Sequence, residues 1–156
     1  MDLRLATAQD CESLSRLAME FRNHLERAKP TDVQFQASIA RLLVSEDAEF
    51  YLASMEGIAI GYVLQRFRFS MWAAGIEATL EDLFVSPGHR QAGIGKRLIE
   101  FALVRAREKG CVTICLDTNE NNTASTKIYT GLGFEALSKR WKGRQIFYRR
   151  QLASEE

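Results

Sequence analysis

The stretch Arg90-Gln91-Ala92-Gly93-Ile94-Gly95 follows the apolar run Leu83-Phe84-Val85 and opens a long amphipathic segment. Two glycines one residue apart let a backbone turn tightly and bring its N–H groups close to a ligand. Apolar residues then recur at helical spacing until Gly110, namely Ile94, Leu98, Ile99, Phe101, Ala102 and Ala106. A strand, a glycine-rich turn and a helix N-terminus together form a cradle for an anion, most often a phosphate. We therefore predict that this turn binds a phosphate group.

The spacing excludes two well-known phosphate motifs. Gly88 and Gly93 have the spacing of the P-loop glycines, but Ile94 stands where that motif needs lysine. The dinucleotide fingerprint fails because Leu98 occupies the position of its third glycine. The remaining alternative is a helix start whose glycines serve only packing.

Composition limits the classes of protein to consider. The chain has 156 residues and a net charge of +1, which predicts one domain over residues 1–156 and no nucleic-acid or membrane partner. No signal peptide or transmembrane run is visible. Cys11, Cys111 and Cys115 form no metal or redox spacing, and an odd number argues against a disulfide framework. We predict a cytoplasmic protein without a metal site.

Hydrophobic periodicity and turn residues predict an α/β domain with a mixed sheet of about seven strands and about four helices. Helices are predicted from Thr7 to near Lys29, and then over residues 32–43, 94–109 and 123–131. Strands are predicted over residues 3–6, 50–55, 58–69, 76–85, 112–116, 134–137 and 145–151.

Two motifs on these elements resemble those of the GNAT superfamily of acetyl-CoA-dependent N-acetyltransferases. Arg90-x-x-Gly93-x-Gly95 is similar to the superfamily's pyrophosphate turn, and Asn122…Tyr129…Gly133-Phe134 is similar to its Asn…Tyr…Gly-Phe segment. The resemblance implies a sheet splayed in the middle, with the thioester of acetyl-CoA in the gap between residues 83–85 and 112–116. One departure is Gln91, where many relatives carry glycine.

The resemblance also implies which residues bind the cofactor. The backbone of the turn would hold the CoA pyrophosphate, and the edge of the preceding strand would bind the pantetheine arm like an added strand. Asn122 is predicted to cap its helix and to reach the same arm. The cofactor-binding residues are thus Leu83, Phe84, Val85, Arg90, Gln91, Ala92, Gly93, Ile94, Gly95, Lys96, Asn122 and Tyr129.

A narrower resemblance, to the diamine and polyamine acetyltransferase branch, concerns Trp72 and the run Leu80-Glu81-Asp82-Leu83-Phe84-Val85. It implies that Glu81 and Asp82 lie beside the acceptor amine. Trp72 is a candidate wall of the acceptor pocket, with core or loop packing as the alternative. We expect Glu81 to accept the amine's proton, because strand alternation places it on the face of Leu83 and Val85, away from Asp82 unless a bulge intervenes. The alternative for both carboxylates is a solvated strand end.

Tyr129 is the candidate general acid, donating its phenolic proton to the departing thiolate; the alternative is an ordinary amphipathic tyrosine on a helix.

The predicted function is transfer of an acetyl group from acetyl-CoA to a primary amine, either a small amine or polyamine or a lysine-like side chain, by direct attack in a ternary complex. The alternative is a non-catalytic CoA-binding module on the same fold. A homodimer is expected from the resemblance alone.

Overall fold

A computed structural model describes residues 1–90 and 92–154. Its described residues contain one sheet with the strand order β1-β2-β3-β4-β5. Strands β1 to β4 pair antiparallel, and β5 pairs parallel with β4. The strands are β1 (Asp2–Leu5), β2 (Ala48–Met55), β3 (Ile58–Ser70), β4 (Gly75–Val85) and β5 (Thr113–Leu116). The α-helices are α1 (Cys11–His24), α2 (Asp32–Leu43), α3 (Ile94–Glu108) and α4 (Thr123–Gly131). The mixed α/β architecture predicted from sequence is confirmed.

The chain forms two compact units, Met1–Leu116 and Asp117–Glu156. The first unit holds the sheet and helices α1 to α3, and the second holds α4 and the segment after it.

The sheet of the first unit is covered on both faces. Leu14 and Leu17 of α1 and Ile39 of α2 are buried in one cluster with side chains of β2, β3 and β4. A second cluster joins Ala106 of α3 to β3 and β4. Helices α1 and α2 therefore lie on one face and α3 on the other, as their apolar spacing requires.

Local signals explain where several elements begin. Thr31 caps α2: its Oγ1 accepts from the Gln34 N–H at 3.2 Å, while the Gln34 side chain accepts from the Thr31 N–H at 2.9 Å. This reciprocal pair is a capping box. Glu56 and Gly57 have φ of 50° and 80°, which fits the tight turn that joins β2 to β3.

Two predictions about element extent are wrong. Helix α1 ends at His24 rather than near residue 29, because Glu26 adopts a left-handed φ of 55° that the helix cannot continue through. The predicted strands over 134–137 and 145–151 are reduced, within the described residues, to one isolated bridge between Leu137 and Arg144. Ile146 and Phe147 are exposed, so their apolar character does not indicate a half-buried strand. The sheet of the described residues therefore has five strands instead of the seven predicted.

Candidate active site

Half of β4 has an open edge. Strand β5 pairs with β4 from Glu77 to Leu80 and ends at Leu116, so in the first unit's described residues the edge of residues 81–85 has no β5 partner. The gap that the family resemblance implied was expected beside residues 83–85, which lie on this open edge.

The groups on the open edge can be identified from the pairing with β3. The Ser86 N–H donates to the Ile60 carbonyl at 2.8 Å, so Ser86, and with it Phe84, points its backbone groups toward β3. Successive residues of an antiparallel strand alternate in direction, so the N–H and C=O groups of Leu83 and Val85 point away from β3. An extended ligand with amide groups can pair with them as an added strand.

The N-terminus of α3, at the end of the turn after β4, has features that suit an anion. Gly93 is the N-cap residue of α3, in a left-handed conformation with φ of 76° and ψ of 9°. A Cβ built on Gly93 would meet no heavy atom within 4 Å, so the glycine is needed for its φ and not for packing. No capping side chain bonds the first turn of α3 within the described part of the chain. Its first N–H groups are therefore left for another acceptor, such as an anion. Gln91, the predicted turn residue, lies outside the described residues.

The Arg90 side chain ties this turn to the end of β4 and to α1. Its Nε donates to the Val85 carbonyl at 2.9 Å, and its Nη1 lies 3.3 Å from His24 Nε2. The guanidinium carbon lies 5.6 Å from the centre of the Phe84 ring. That ring stacks on Phe21 of α1, with centroids 4.8 Å apart.

A β-bulge lies at Glu81. Leu64 pairs with Asp82 while Gln65 pairs with Leu80, so Glu81 is an extra residue without a partner on β3. The bulge also breaks the alternation of β4: Ala78 packs on the α3 face, yet Phe84, an even number of residues later, packs on the face of α1 and α2. The prediction that Glu81 shares the face of Leu83 and Val85 held only for a strand without a bulge, and the bulge at Glu81 removes that condition.

The bulge brings two successive carboxylates to one face. Glu81 contacts Arg66 at 3.4 Å, and Asp82 accepts a hydrogen bond from the Tyr62 hydroxyl. Arg66 and Tyr62 are four residues apart on β3, so they point to the same face of the sheet, and Glu81 and Asp82 point there with them.

The two carboxylates differ in environment. Glu81 is exposed on the surface beside Arg66. Burial raises the pKa of the Asp82 carboxyl, the hydrogen bond from Tyr62 opposes this rise, and the charge of Glu81 adds to it. Burial and the charge of Asp82 raise the pKa of the Tyr62 phenol, which stays protonated as the donor. Asp82 is therefore a carboxylate with an increased affinity for a proton. Tyr62 lies in no sequence motif, and only the register of the β3–β4 pair shows that it is close to Asp82.

The structure does not bring Trp72 to these carboxylates. Trp72 is exposed in the turn between β3 and β4. A strand rises by about 3.3 Å per residue, which puts Asp82 roughly 23 Å from Gly75, the first residue after that turn. Trp72 and the Glu81–Asp82 pair are thus at separate places on the hairpin.

In the second unit, the Asn…Tyr…Gly-Phe segment is a capped helix. The Asn122 side chain accepts from the Ser125 N–H at 3.3 Å, which confirms the predicted N-cap of α4. At the other end, Gly133 has a φ of 89° and the Phe134 N–H donates to the Tyr129 carbonyl at 3.0 Å. Phe134 then packs edge-on against the Tyr129 ring at 6.0 Å, the contact typical of a glycine C-cap.

Neither a metal-binding cluster nor a membrane-spanning helix is present among the described residues. Within 1–90 and 92–154, no three histidine, cysteine, aspartate or glutamate side chains are grouped to hold a metal ion. No helix in that part of the chain combines the length and the apolar character needed to cross a bilayer.

The sequence and the fold of this chain are similar to those of known proteins. The sequence model of the acetyltransferase (GNAT) family matches residues 11–134. Aminoglycoside N(6')-acetyltransferase type 1 of Salmonella typhimurium is 31% identical over 134 residues, which cover 83% of this chain and 88% of that protein. Thialysine N-epsilon-acetyltransferase of Bos taurus is 27% identical over 146 residues, covering 88% of this chain and 85% of the relative. A solved aminoglycoside N-acetyltransferase in complex with CoA superposes with a TM-score of 0.78 and 27% identity, over 97% of this chain and 95% of that one.

Proposed function

Because the chain belongs to the acetyltransferase (GNAT) family, we propose that it transfers an acetyl group from acetyl-CoA to a primary amine, by direct attack in a ternary complex. The observation that carries this proposal is the order of features in the first unit: an open strand edge leads directly into the Gly93 turn and the N-terminus of α3. An arm with two amides followed by a diphosphate has complementary groups in the same order.

The residues present fit acetyl-CoA. We propose that the backbone of residues 90–96 holds the pyrophosphate and that the open-edge groups of Leu83 and Val85 pair with the pantetheine arm. Phe84 supports this edge through its stack on Phe21, since its own backbone groups face β3. Acetyl-CoA, when bound, supplies a thioester carbonyl that an amine can attack.

The amine must lose a proton before it can attack, because an alkylammonium with a pKa of about 10.4 has no free lone pair. We propose that Glu81 accepts this proton, directly or through water, and that Asp82 holds the ammonium beside it. Their position on one face of the sheet supports a shared role, since two neighbouring carboxylates attract a cation more strongly than one. Backbone N–H groups near Leu83 would stabilise the oxyanion that forms on the thioester.

The roles proposed in the second unit come from the family motif. Tyr129 donates a proton to the leaving CoA thiolate, and Asn122, besides capping α4, reaches the pantetheine arm. The family match runs from residue 11 to residue 134, across the boundary between the two units, which supports residues 1–156 as one N-acetyltransferase domain.

The acceptor class is proposed from the relatives. One is named for an aminoglycoside and another for thialysine, both of which carry primary amines. We propose a small amine, a polyamine or a lysine-like side chain as acceptor, without nucleic acid as partner. We further propose a homodimer and a cytoplasmic location; the free thiols of Cys11, Cys111 and Cys115 fit a reducing compartment.

The test is the release of free thiol from acetyl-CoA in the presence of a panel of amines: an aminoglycoside, a polyamine, lysine and thialysine. We expect turnover with at least one of them. Tyr129→Phe should slow turnover much more than it weakens CoA binding measured by calorimetry, because the phenol acts on the leaving group. Tyr148→Phe, which alters an exposed tyrosine of the same unit, is the matched control and should match the wild type.

Two results would contradict the proposal in different ways. Absence of CoA binding by the wild type would remove the cofactor site itself. CoA binding without thiol release for any amine would favour the non-catalytic CoA-binding module.

A further inference from the structure

We propose that Arg90 is a positioning residue of the cofactor site, and that His24 of α1 is the group that orients it. The inference rests on the proposed acetyl-CoA site and concerns the side chains that hold that site in shape.

The first step concerns which atom donates. A guanidinium has five N–H donors and no acceptor, so the 3.3 Å contact between Arg90 Nη1 and His24 Nε2 requires the imidazole nitrogen to accept. Nε2 of His24 can accept only in the tautomer that carries the proton on Nδ1. The contact joins the turn after β4 to the last residue of α1, 66 positions earlier in the chain.

The second step concerns the open edge of β4. The Val85 carbonyl points away from β3, and Arg90 Nε occupies it at 2.9 Å. A ligand strand can therefore pair freely with Leu83 and with the Val85 N–H, whereas at the Val85 carbonyl it must share the oxygen with Arg90. The Arg90 side chain thus lies at the point where a bound arm must leave the strand for the Gly93 turn.

The third step concerns rigidity. The guanidinium lies over the Phe84 ring at 5.6 Å, and Phe84 stacks on Phe21 of α1. Ser86 adds a second link to α1, since its hydroxyl donates to Glu20 at 3.0 Å. Arg90 is therefore held by an acceptor on β4, an aromatic face and an acceptor on α1, while its own backbone begins the turn. A side chain fixed in this way holds the turn in place for the diphosphate.

The experiment compares CoA affinity by calorimetry with the KM for acetyl-CoA and kcat. We expect Arg90→Ala to weaken CoA binding about tenfold, as expected for the loss of one hydrogen bond to a charged group. Its KM for acetyl-CoA should rise more than kcat falls. Arg90→Lys keeps the charge but cannot make the forked contacts, so it should weaken CoA binding to a similar degree. This variant replaces Arg90→Ala in the test if the alanine variant fails to fold. Arg107→Ala, an exposed arginine of α3, is the matched control.

The role of His24 is tested by rescue and by coupling. His24→Leu removes the acceptor and should weaken CoA binding, whereas His24→Gln offers an oxygen and should recover most of the affinity lost in the leucine variant. The double variant of Arg90→Ala and His24→Leu should bind CoA as Arg90→Ala does. Wild-type affinity in Arg90→Ala and Arg90→Lys, or fully additive losses in the double variant, would overturn this inference while leaving the cofactor site intact. Failure of the wild type to bind CoA would overturn the proposed function instead.

Discussion

Asp82 shows how the position of a single residue sets its chemistry. The carboxylate is partly buried, accepts from Tyr62 and has a raised pKa, whereas Glu81 beside it is exposed and paired with Arg66. A raised pKa in the folded state means that ionised Asp82 opposes folding. Its favourable contribution is complete below the ordinary pKa of 3.8 and is lost as the pH rises through the higher folded value.

Asp82→Asn should therefore separate stability from activity. At pH 7 the neutral amide removes the cost of a buried charge, so the free energy of unfolding should be unchanged or higher. At pH 4 this advantage should be smaller, because a larger fraction of the wild-type carboxyl is then protonated. Thiol release should fall at least about tenfold, because the neutral amide loses the charge-assisted contact that holds the ammonium. Urea unfolding at the two pH values and the thiol assay measure both effects.

Asp2→Asn is the control for this prediction, since Asp2 is an exposed carboxylate on β1, at the opposite edge of the sheet from β5. An Asp82→Asn enzyme that is less stable at pH 7 and fully active would contradict both the assigned environment and the proposed role.

The contact of Tyr62 with Asp82 could not be predicted from sequence. Counting from the end of the hairpin, where Ser70 pairs with Gly75, an unbroken ladder puts Leu64 opposite Glu81. The structure puts Leu64 opposite Asp82, because one residue is taken up by the bulge. Sequence identified the acidic pair and its strand, but a one-residue shift between strands leaves no local signal.

At the scale of elements, prediction succeeded where the determining signals are local. Helix α4 spans Thr123–Gly131 as predicted, since Asn122 caps its start and Gly133 follows its end. Helix α3 lies between two glycines with positive φ: Gly93 is its N-cap residue, and Gly110 lies two residues after its end. The last two predicted strands failed because a strand depends on a partner elsewhere in the chain, which alternation alone does not identify.

Gly93→Ala tests the element that carries the cofactor site. A left-handed φ costs an alanine about 1–2 kcal/mol, while the open space around Gly93 avoids any clash. We expect the free energy of unfolding to fall by about 1 kcal/mol and CoA binding to weaken, because the turn relaxes away from its cradle shape. Urea unfolding and calorimetry measure the two changes.

Gly88→Ala is the matched control in the same turn, because a Cβ there also meets nothing within 4 Å and its φ is not positive. Equal behaviour of the two alanine variants would show that the conformation of Gly93 does not matter for binding.

At the scale of the whole molecule, the proposed cofactor site is built from elements that are distant in sequence. Strand β4, the turn after it, α3 and the end of α1 all contribute to it. Sequence identified the first three, because the motif runs through them, but it gave no sign that α1 returns to contact the turn. Unfolding of any of these elements dismantles the site, so CoA should bind only the folded chain.

We therefore expect one unfolding transition for residues 1–156, moved to higher temperature by CoA. At a CoA concentration 100 times its Kd, the stabilisation should be about 2.7 kcal/mol. ADP and pantetheine, each carrying one half of the ligand, should raise the Tm less than CoA does. Scanning calorimetry measures the shift, and a Tm that CoA leaves unchanged would contradict the proposed site.

The bulge on β4 has a consequence for how such a strand can vary. Within β4, Glu81 is the residue that has no partner on β3. A chain that lacks Glu81 can therefore keep Leu64 opposite Asp82 and Phe84 opposite Tyr62. Insertion or deletion of one codon elsewhere in the strand would shift every later pair. Position 81 is thus where a gene could gain or lose an acidic group by a change in length, with the rest of the sheet undisturbed.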